Sequence, residues 1–287
     1  MENSGKDARP PGADPAKEKG KRLLIVAGPC MLESPELGSR VAGKLKAECE
    51  ARGFDYIFKA SFDKANRTSI KSERGPGLER GIEWLSGIRR DIGVRVTTDI
   101  HEAWQAEPVS EAADMLQIPA FLCRQTDLLV AASKTGKPIS VKKAQFLAPE
   151  DMASVVEKCR ESGASEVMLC ERGTSFGYHR LVVDFRSLLV MRALGCPVMF
   201  DATHSVQSPG GLGAATGGDR RFVLPLARAA LAIGVDALFM EVHPDPDSAK
   251  SDGPNMVPLG KIEWLLDQIK EADALSRDRL GFATLGW

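Results

Sequence analysis

The sequence lacks the features that mark membrane, secreted and nucleic-acid-binding proteins. It contains no run of about 18 apolar residues, and its amino terminus has neither the apolar core nor the small-residue cleavage site of a signal peptide. Its 38 Lys and Arg residues nearly balance its 39 Asp and Glu residues, for a formal net charge of -1. Because such a balance gives no reason to expect a polyanion partner, any phosphate has to be bound by local clusters of Lys and Arg. We expect a cytoplasmic protein with no membrane segment and no nucleic-acid partner.

Disulfide, zinc-cluster and nucleotide-loop motifs are absent as well. The six cysteines include no Cys-x-x-Cys, so reduced thiols are expected. No Gly-x-Gly-x-x-Gly follows the first apolar run, which disfavours a dinucleotide-binding fold. The glycine-rich residues 208–213 lack the Lys-Ser/Thr ending of a P-loop, and we interpret them as a mobile lid.

The chain divides into a short polar segment and one long repetitive region. Residues 1–20 are rich in Pro, Gly, Lys and Asp and nearly free of apolar residues. Such a segment cannot bury enough surface to offset the entropy of ordering, so we predict a disordered extension. Residues 21–287, predicted to be a single catalytic domain, repeat an apolar β-rich run, a polar loop and an amphipathic helical stretch. This alternation is typical of parallel βαβ units.

Eight apolar runs are predicted to be strands. They are Leu23–Ala27, Tyr56–Ser61, Val94–Asp99, Met115–Ala120, Ile139–Lys143, Glu166–Glu171, Val198–Thr203 and Ala237–His243. The helical stretches between them end near glycines that can close a helix in the left-handed conformation, namely Gly53, Gly93, Gly136, Gly163, Gly195 and Gly234. Eight such units favour an α/β fold of the (β/α)8 TIM-barrel type, although a doubly wound open sheet leaves a similar local pattern.

Polar residues recur at the carboxyl ends of the predicted strands. They are Lys59, Asp99, Gln117, Lys142, Arg172, His204 and Glu241. Any one of them could belong to a buried ion pair that ties a loop to the barrel. In a barrel, however, all seven converge on one mouth, and their concentration there favours a ligand site.

The cations of this set indicate a substrate with several negative charges. Lys59, Lys64, Lys142 and Arg172 offer the charge-assisted donors that a phosphate and a carboxylate together require, as in phosphoenolpyruvate. Residues 64–69 (Lys-Ala-Asn-Arg-Thr-Ser) add an amide, a guanidinium and two hydroxyls just beyond the second strand. This loop suits a second phosphate, although alone it could equally be a solvated turn.

Four residues have the chemistry of ligands for a divalent metal. Cys30, His204, Glu241 and Asp252 suit a borderline ion such as Zn, Fe, Mn or Co. Their spacing matches no metal motif, so a hydrogen-bond network at the barrel mouth is the alternative. Barrel closure would make strands one, seven and eight neighbours and bring these residues together.

Several long motifs, in order along the chain, resemble the 3-deoxy-D-manno-octulosonate 8-phosphate synthase family. They are Ala27–Cys30, Phe58–Arg67, Thr98–Glu102, Gln117–Asp127, Val141–Lys143, Glu171–Gly173, Phe176–Tyr178, Asp201–Ser205 and Glu241–Pro244. The resemblance covers nearly everything from Leu23 to about Leu275. It implies a barrel, assembled as a homotetramer, that condenses phosphoenolpyruvate with D-arabinose 5-phosphate and water on the way to the lipopolysaccharide sugar Kdo.

The resemblance also implies a role for each site residue. The phosphoenolpyruvate site is expected to comprise Lys59, Ser61, Lys64, Gln117, Ala120, Lys142 and Arg172. The pentose-phosphate site is expected to comprise Asn66, Arg67 and Thr68, with Arg124 from a neighbouring subunit. We assign Lys64, Lys142, Arg172 and His204 to catalysis and Asp99 to substrate binding.

The residue after Gly-Pro separates two kinds of member in the family that the chain resembles. Metal-dependent members have Cys there and metal-independent members have Asn, so Cys30 implies the metal-dependent type. The Ser251–Pro254 loop, in contrast, looks like that of metal-independent members. Two rival functions are 3-deoxy-D-arabino-heptulosonate 7-phosphate synthase, whose related members have Lys-Pro-Arg-Thr-Ser where this chain has residues 64–69, and a non-catalytic barrel that binds a sugar phosphate.

Overall fold

All eight predicted strands are present and form one closed barrel. In the computed structural model, which describes residues 22–276 except 68, 178 and 210–216, the ends of each strand lie within two residues of the predicted ends. The strands are β1 (Leu24–Gly28), β2 (Asp55–Lys59), β3 (Arg95–Asp99), β4 (Met115–Ile118), β5 (Ile139–Lys142), β6 (Val167–Glu171), β7 (Val198–Asp201) and β8 (Ala237–His243). Each strand pairs in parallel with the next, and β1 pairs in parallel with β8. The predicted barrel is therefore confirmed, because in an open sheet each of the two edge strands would have a neighbour on one side only.

A helix follows each strand within the described residues. These helices are α1 (Pro35–Arg52), α2 (Leu78–Ile88), α3 (Ala106–Ala112), α4 (Thr126–Lys134), α5 (Met152–Glu161), α6 (Arg186–Ala193), α7 (Val223–Ile233) and α8 (Ile262–Leu275). The six glycines predicted to close the connections all have a positive φ, from 67° at Gly93 to 98° at Gly234. No described helix is both long enough and apolar enough to cross a membrane.

Two buried clusters support the barrel. The larger one packs the outward-facing side chains of the strands against the helices. The smaller one takes alternate positions of the strands and fills the barrel interior, and it comprises Val26, Ile57, Met115, Met168, Cys170, Met199, Ala237 and Phe239. Phe239 lies nearest the mouth, with the Lys142 Nζ 3.7 Å above its ring centroid. The interior is therefore closed below the strand ends, and polar chemistry is confined to the mouth.

Short additional elements shape the loops at the carboxyl ends of the strands. Residues Thr174–Ser175 pair with Leu181–Val182, and Gln207–Ser208 pair with Gly217–Gly218, each as an antiparallel ribbon. Val257–Pro258 pairs with β8, which returns the loop after β8 to the barrel rim. The predicted extension at residues 1–20, residues 210–213 of the predicted lid, and residues 277–287 of the predicted domain lie outside the described residues.

A close approach of two backbones explains the glycine at the end of β1. A Cβ atom on Gly28 would lie 2.1 Å from the carbonyl oxygen of Lys59. Only glycine lets β1 pass this close to β2 at the mouth, where Pro29 and Cys30 turn the chain towards the site.

Candidate active site

A cavity of about 310 Å³ opens at the carboxyl ends of the strands, which is within the size range of small-molecule sites. Nine of the predicted site residues line it: Lys59, Lys64, Asn66, Asp99, Gln117, Ala120, Lys142, Arg172 and His204. Ser61, Arg67, Arg124 and three predicted metal ligands do not line it directly, and Thr68 lies outside the described residues. Barrel closure thus brings together side chains that are as much as 145 positions apart in sequence, from Lys59 to His204.

An ion-pair network joins Lys142, Asp201 and His204 at one side of the cavity. Asp201, which is fully buried at the end of β7, lies 2.5 Å from the Lys142 Nζ and 2.7 Å from the His204 Nδ1. Its other oxygen accepts from the backbone N–H of His204 at 2.8 Å. Burial alone would raise the pKa of Asp201, but the charges of His204 and Lys142 outweigh it and hold that pKa well below the usual range. A permanent carboxylate therefore fixes the positions of two predicted catalytic groups.

A second network lies at the ends of β2 and β3. The Lys59 Nζ donates to the Ser61 Oγ at 2.6 Å, and that hydroxyl donates to the Asp99 Oδ1 at 2.5 Å. His101 Nε2 lies 3.0 Å from the other Asp99 oxygen. Burial raises the pKa of Asp99, but Lys59 and His101 outweigh that effect and bring the pKa well below its usual value. Ser61 therefore contributes by orienting Lys59 and Asp99, both of which line the cavity.

The depressed pKa of Asp99 predicts how acid weakens the fold. Because the folded-state pKa lies below the ordinary value of 3.8, the ionised network stabilises the protein fully above about pH 4. That stabilisation is lost as the pH falls from there through the folded-state pKa. We expect the difference in unfolding free energy between the wild type and Asp99→Asn to be greatest near pH 7 and to shrink below about pH 4. Urea unfolding over this pH range measures it; an equal difference at every pH would contradict the prediction.

Arg172 presents a buried positive charge to the cavity. Its Nη2 donates to the Gln207 Oε1 at 2.6 Å, whereas its Nη1 is shielded from solvent and has no hydrogen-bond partner among the described residues. No carboxylate of the described chain lies within ion-pair distance of this guanidinium. Burial lowers the pKa of Arg172 from its ordinary value, although a guanidinium remains charged at neutral pH. A buried donor of this kind favours an anionic ligand.

Three of the four predicted metal ligands form one cluster, which meets the cavity at His204. Ligand atoms of Cys30, Glu241 and Asp252 all lie within 4.8 Å of one another. Both carboxylate oxygens of Glu241 are buried without a hydrogen-bond partner among the described residues, and the His204 Nε2 lies 3.5 Å from one of them. A cation would satisfy these orphaned oxygens. The donor set therefore fits a divalent metal, with His204 beside the three-residue cluster and outside it.

The pKa shifts of the residues in this cluster show that its acidic groups need positive charge nearby. Burial and the carboxylates of Glu241 and Asp252 raise the pKa of the Cys30 thiol well above its usual value. Burial lowers the pKa of Lys64, but the acidic groups around it, Cys30 and Glu241 foremost, outweigh that effect and raise it. Burial would raise the pKa of Asp252, but Lys64 and His204 bring it down to about 2. Carboxylates crowded around a buried thiol need a cation to become a stable ligand set.

Asp252 is held in place by loop contacts that the sequence did not predict. Its backbone has φ of 51°, and its carboxylate accepts from the Cys30 Sγ at 3.1 Å and from the Gln207 Nε2 at 3.0 Å. Arg67 also engages this loop, donating to the Ser251 Oγ and to the Lys250 carbonyl oxygen, both at 2.9 Å. Arg67 is thus drawn towards the loop after β8, whereas the resemblance assigned it to the pentose phosphate.

Two buried residues at the mouth were missed by sequence reasoning. The sequence did contain a signal for Asp201, because this residue stands at the end of an apolar strand, three residues before His204. Gln145, which is 9% exposed and lines the cavity, lies in the loop after β5 and carried no comparable signal. Arg124 is exposed and does not line the cavity of its own chain, so any role for it in this cavity requires a second subunit.

Comparisons with known proteins agree with this architecture. A family model described as "DAHP synthetase I family" matches residues 10–277. A 2-dehydro-3-deoxyphosphooctonate aldolase from Fusobacterium nucleatum subsp. nucleatum is 60% identical over 255 residues, which are 89% of this chain and 92% of that protein. One from Desulfotalea psychrophila is 55% identical over 267 residues (93% and 95%), and one from Rhizobium meliloti is 56% identical over 257 residues (90% and 92%). The chain therefore belongs to the DAHP synthetase I family and, within it, to the 2-dehydro-3-deoxyphosphooctonate aldolases, the family that its motifs predicted under the name 3-deoxy-D-manno-octulosonate 8-phosphate synthase.

Proposed function

We infer that this chain condenses phosphoenolpyruvate with D-arabinose 5-phosphate and water to give 3-deoxy-D-manno-octulosonate 8-phosphate and inorganic phosphate, a step of Kdo and lipopolysaccharide biosynthesis. Relatives 55–60% identical over nearly their whole length carry the corresponding aldolase name. The observation that carries the proposal is the cationic cavity, where Lys59, Lys64, Lys142 and Arg172 face one space of about 310 Å³. Two phosphates and a carboxylate need several charge-assisted donors of this kind.

The reaction forms one carbon–carbon bond and breaks one carbon–oxygen bond. C3 of phosphoenolpyruvate attacks the aldehyde carbon of the pentose, water adds at C2, and phosphate leaves with the oxygen that joined it to C2. In this proposal Arg172 and Lys142 stabilise the phosphoryl group as its charge increases. Lys59, oriented by Ser61 and Asp99, supports the carboxylate site.

A proton has to move when water adds at C2, and His204 is the group that we assign to this transfer. Asp201 fixes the ring through its Nδ1 at 2.7 Å, so the Nε2 points away from that carboxylate towards Glu241. In the metal-free site this leaves the Nε2 as the atom that can carry the proton at the cavity wall, whereas with a metal bound the same Nε2 would be the fourth ligand.

We also propose that the enzyme is of the metal-dependent type. Cys30, Glu241 and Asp252 would hold a divalent ion of Zn, Fe, Mn or Co, with His204 next to them as the predicted fourth ligand. Such an ion supplies Lewis-acid chemistry when bound. The support from this chain is the pair of unpartnered, buried Glu241 oxygens beside a thiol.

The enzyme's preference between two aldehyde substrates tests the proposed function. Phosphate release from phosphoenolpyruvate should proceed at least about a hundredfold faster with arabinose 5-phosphate than with erythrose 4-phosphate, because a shorter chain cannot reach both the aldehyde site and a phosphate site. The heptulosonate synthase is the second candidate, since the family model carries its name. A preference for the four-carbon sugar would support that candidate, and release without either sugar would overturn both.

We propose a homotetramer in which Arg124 reaches the cavity of a neighbouring subunit. Large apolar side chains are exposed near the mouth, with Phe121 at 54%, Phe146 at 65% and Trp104 at 65%, and such groups favour an interface between copies. Free thiols at all six cysteines support the proposed cytoplasmic location.

Subunit mixing tests the role of Arg124. Arg124→Ala and Lys142→Met are each expected to be inactive alone, because each lacks one part of every site. In hybrids formed by coexpression, about a quarter of the active sites should be functional. These are the sites in which a cavity that retains Lys142 lies next to a subunit that retains Arg124. The assay is phosphate release from the mixed oligomers, with sedimentation to give the subunit number. A monomer, or mixtures no more active than the separate variants, would contradict the arrangement.

A further inference from the structure

Gln145 is a buried polar residue at the cavity for which neither the reaction nor the family motifs supply a role. Its side chain is 9% exposed and forms part of the cavity wall. The amide oxygen Oε1 is shielded from solvent and has no hydrogen-bond partner among the described residues. The amide nitrogen Nε2 is not shielded in this way, so the donor end of the amide is the end that a ligand can reach.

The backbone around Gln145 is fixed before any ligand arrives. Lys143, which is 1% exposed, donates from its Nζ to the carbonyl oxygens of Ala144 and Leu147, both at 3.3 Å. The same Nζ reaches the Thr174 Oγ1 at 3.1 Å. Contacts of this kind fix the backbone on both sides of Gln145 and so limit where its side chain can lie.

A further backbone hydrogen bond links Gln145 to the loop that follows Arg172. Its carbonyl oxygen accepts from the N–H of Ser175 at 2.9 Å, three residues after Arg172. Lys142 precedes Gln145 by three residues at the end of β5, and both cations line the same cavity. Gln145 therefore joins the loop after β5, which follows Lys142, to the loop after β6, which begins at Arg172.

The charge of this part of the cavity decides which end of the amide a ligand would use. Arg172 has a buried Nη1 without an acceptor and no ion-pair partner in the described chain. An anion is the ligand that satisfies such a donor, and an anion accepts hydrogen bonds from the amide Nε2 as well. Lys142, Arg172 and Gln145 together offer donors from three side chains to one cavity, which matches the three terminal oxygens of a phosphoryl group better than the two oxygens of a carboxylate.

We propose that Gln145 is a further substrate-binding residue, whose amide Nε2 donates a hydrogen bond to the phosphoryl group of phosphoenolpyruvate beside Arg172. The proposal rests on the proposed function for the identity of the substrate. It rests on the geometry of this chain for the anion site. Loss of the amide donor should weaken the binding of phosphoenolpyruvate and leave the binding of the pentose phosphate unchanged.

Two substitutions of similar size separate a donor from a packing group. Gln145→Met removes the hydrogen bond and keeps the volume, and we expect the KM for phosphoenolpyruvate to rise about tenfold to a hundredfold. Gln145→Glu places a carboxylate beside the phosphoryl group, and we expect a rise at least tenfold larger than that of Gln145→Met. The KM for arabinose 5-phosphate and the melting temperature should stay near wild type. Gln268→Met on α8, where the amide accepts from Arg228 and does not line the cavity, serves as the matched control.

Calorimetric titration of the wild type and both variants with phosphoenolpyruvate alone, and with inorganic phosphate and pyruvate as probes, completes the test. The proposal predicts that both variants lose affinity for phosphoenolpyruvate and inorganic phosphate but keep their affinity for pyruvate. It is overturned if Gln145→Glu binds phosphate as well as Gln145→Met does, if only pyruvate binding weakens, or if both KM values rise together with a loss of stability. Because binding needs no pentose, a wild type that binds phosphoenolpyruvate yet releases no phosphate would refute the proposed function and leave this test intact.

Discussion

Lys142→Met is expected to lower kcat by about a hundred- to a thousandfold and to destabilise the fold by about 3–5 kcal/mol. Both effects come from the ion pair with Asp201, whose carboxylate is fully buried 2.5 Å from the Lys142 Nζ. Removing the lysine leaves the buried Asp201 carboxylate with His204 as its remaining ion-pair partner and removes a donor from the predicted phosphoryl site. Urea unfolding and phosphate release measure the two effects separately.

A double substitution separates stability from catalysis. Lys142→Met combined with Asp201→Asn removes the buried charge as well, so we expect it to recover about 2 kcal/mol or more of the lost stability. Activity should remain as low as in the single variant, because the cation is still missing. The account is wrong if activity returns together with stability, since Lys142 would then act only through the fold.

Loss of the Cys30 thiol is expected to have the second large effect. Cys30→Ser should reduce the affinity for a divalent metal by at least about a hundredfold and lower activity in proportion, because a hydroxyl is a much poorer ligand than a thiolate. Titration with Co²⁺ gives a readout that does not depend on turnover. The wild type should develop the near-ultraviolet absorption of a cobalt–thiolate bond, and Cys30→Ser should not.

Cys196 provides the matched control for this experiment. It is buried beside the Arg160 guanidinium at 3.5 Å, at the opposite end of β7 from Asp201. Cys196→Ser should keep the cobalt band and the activity of the wild type. Full activity of the wild type after exhaustive chelation, with no metal remaining by elemental analysis, would contradict the proposed metal dependence.

Most of the barrel was predictable because its causes are local. Apolar runs such as Ile139–Lys142 and Ala237–His243 are bounded by polar loops, and glycines such as Gly53 and Gly163 have the positive φ that closes a helix. Closure itself was inferred from the strand count, and the pairing of β1 with β8 confirms it. The ends of strands were less certain, because hydrogen bonding beyond the last apolar residue depends on neighbouring loops.

The residues at the strand ends were predictable for a related reason. A charged side chain such as Lys142 or Glu241 at the end of an apolar strand is costly without a partner, so its presence indicates a site. What the sequence could not supply was the choice of partner. Asp201 pairs with Lys142 across 59 positions, and Arg67 donates to Ser251 across 184, because the fold brings their loops together. Gln145 became visible only as an unpartnered amide in the cavity wall.

The path of one oxygen atom tests the central claim most directly. Phosphoenolpyruvate made with a heavy oxygen isotope in the bond between C2 and phosphorus would be incubated with the enzyme and arabinose 5-phosphate, and both products analysed by mass spectrometry. The account predicts that the label leaves with the phosphate, that the eight-carbon keto product carries none of it, and that release requires the pentose. Label retained in the eight-carbon product would show cleavage of the phosphorus–oxygen bond and contradict the proposed step. Phosphate released at the same rate without pentose, with the label left in pyruvate, would show a phosphatase rather than a condensing enzyme.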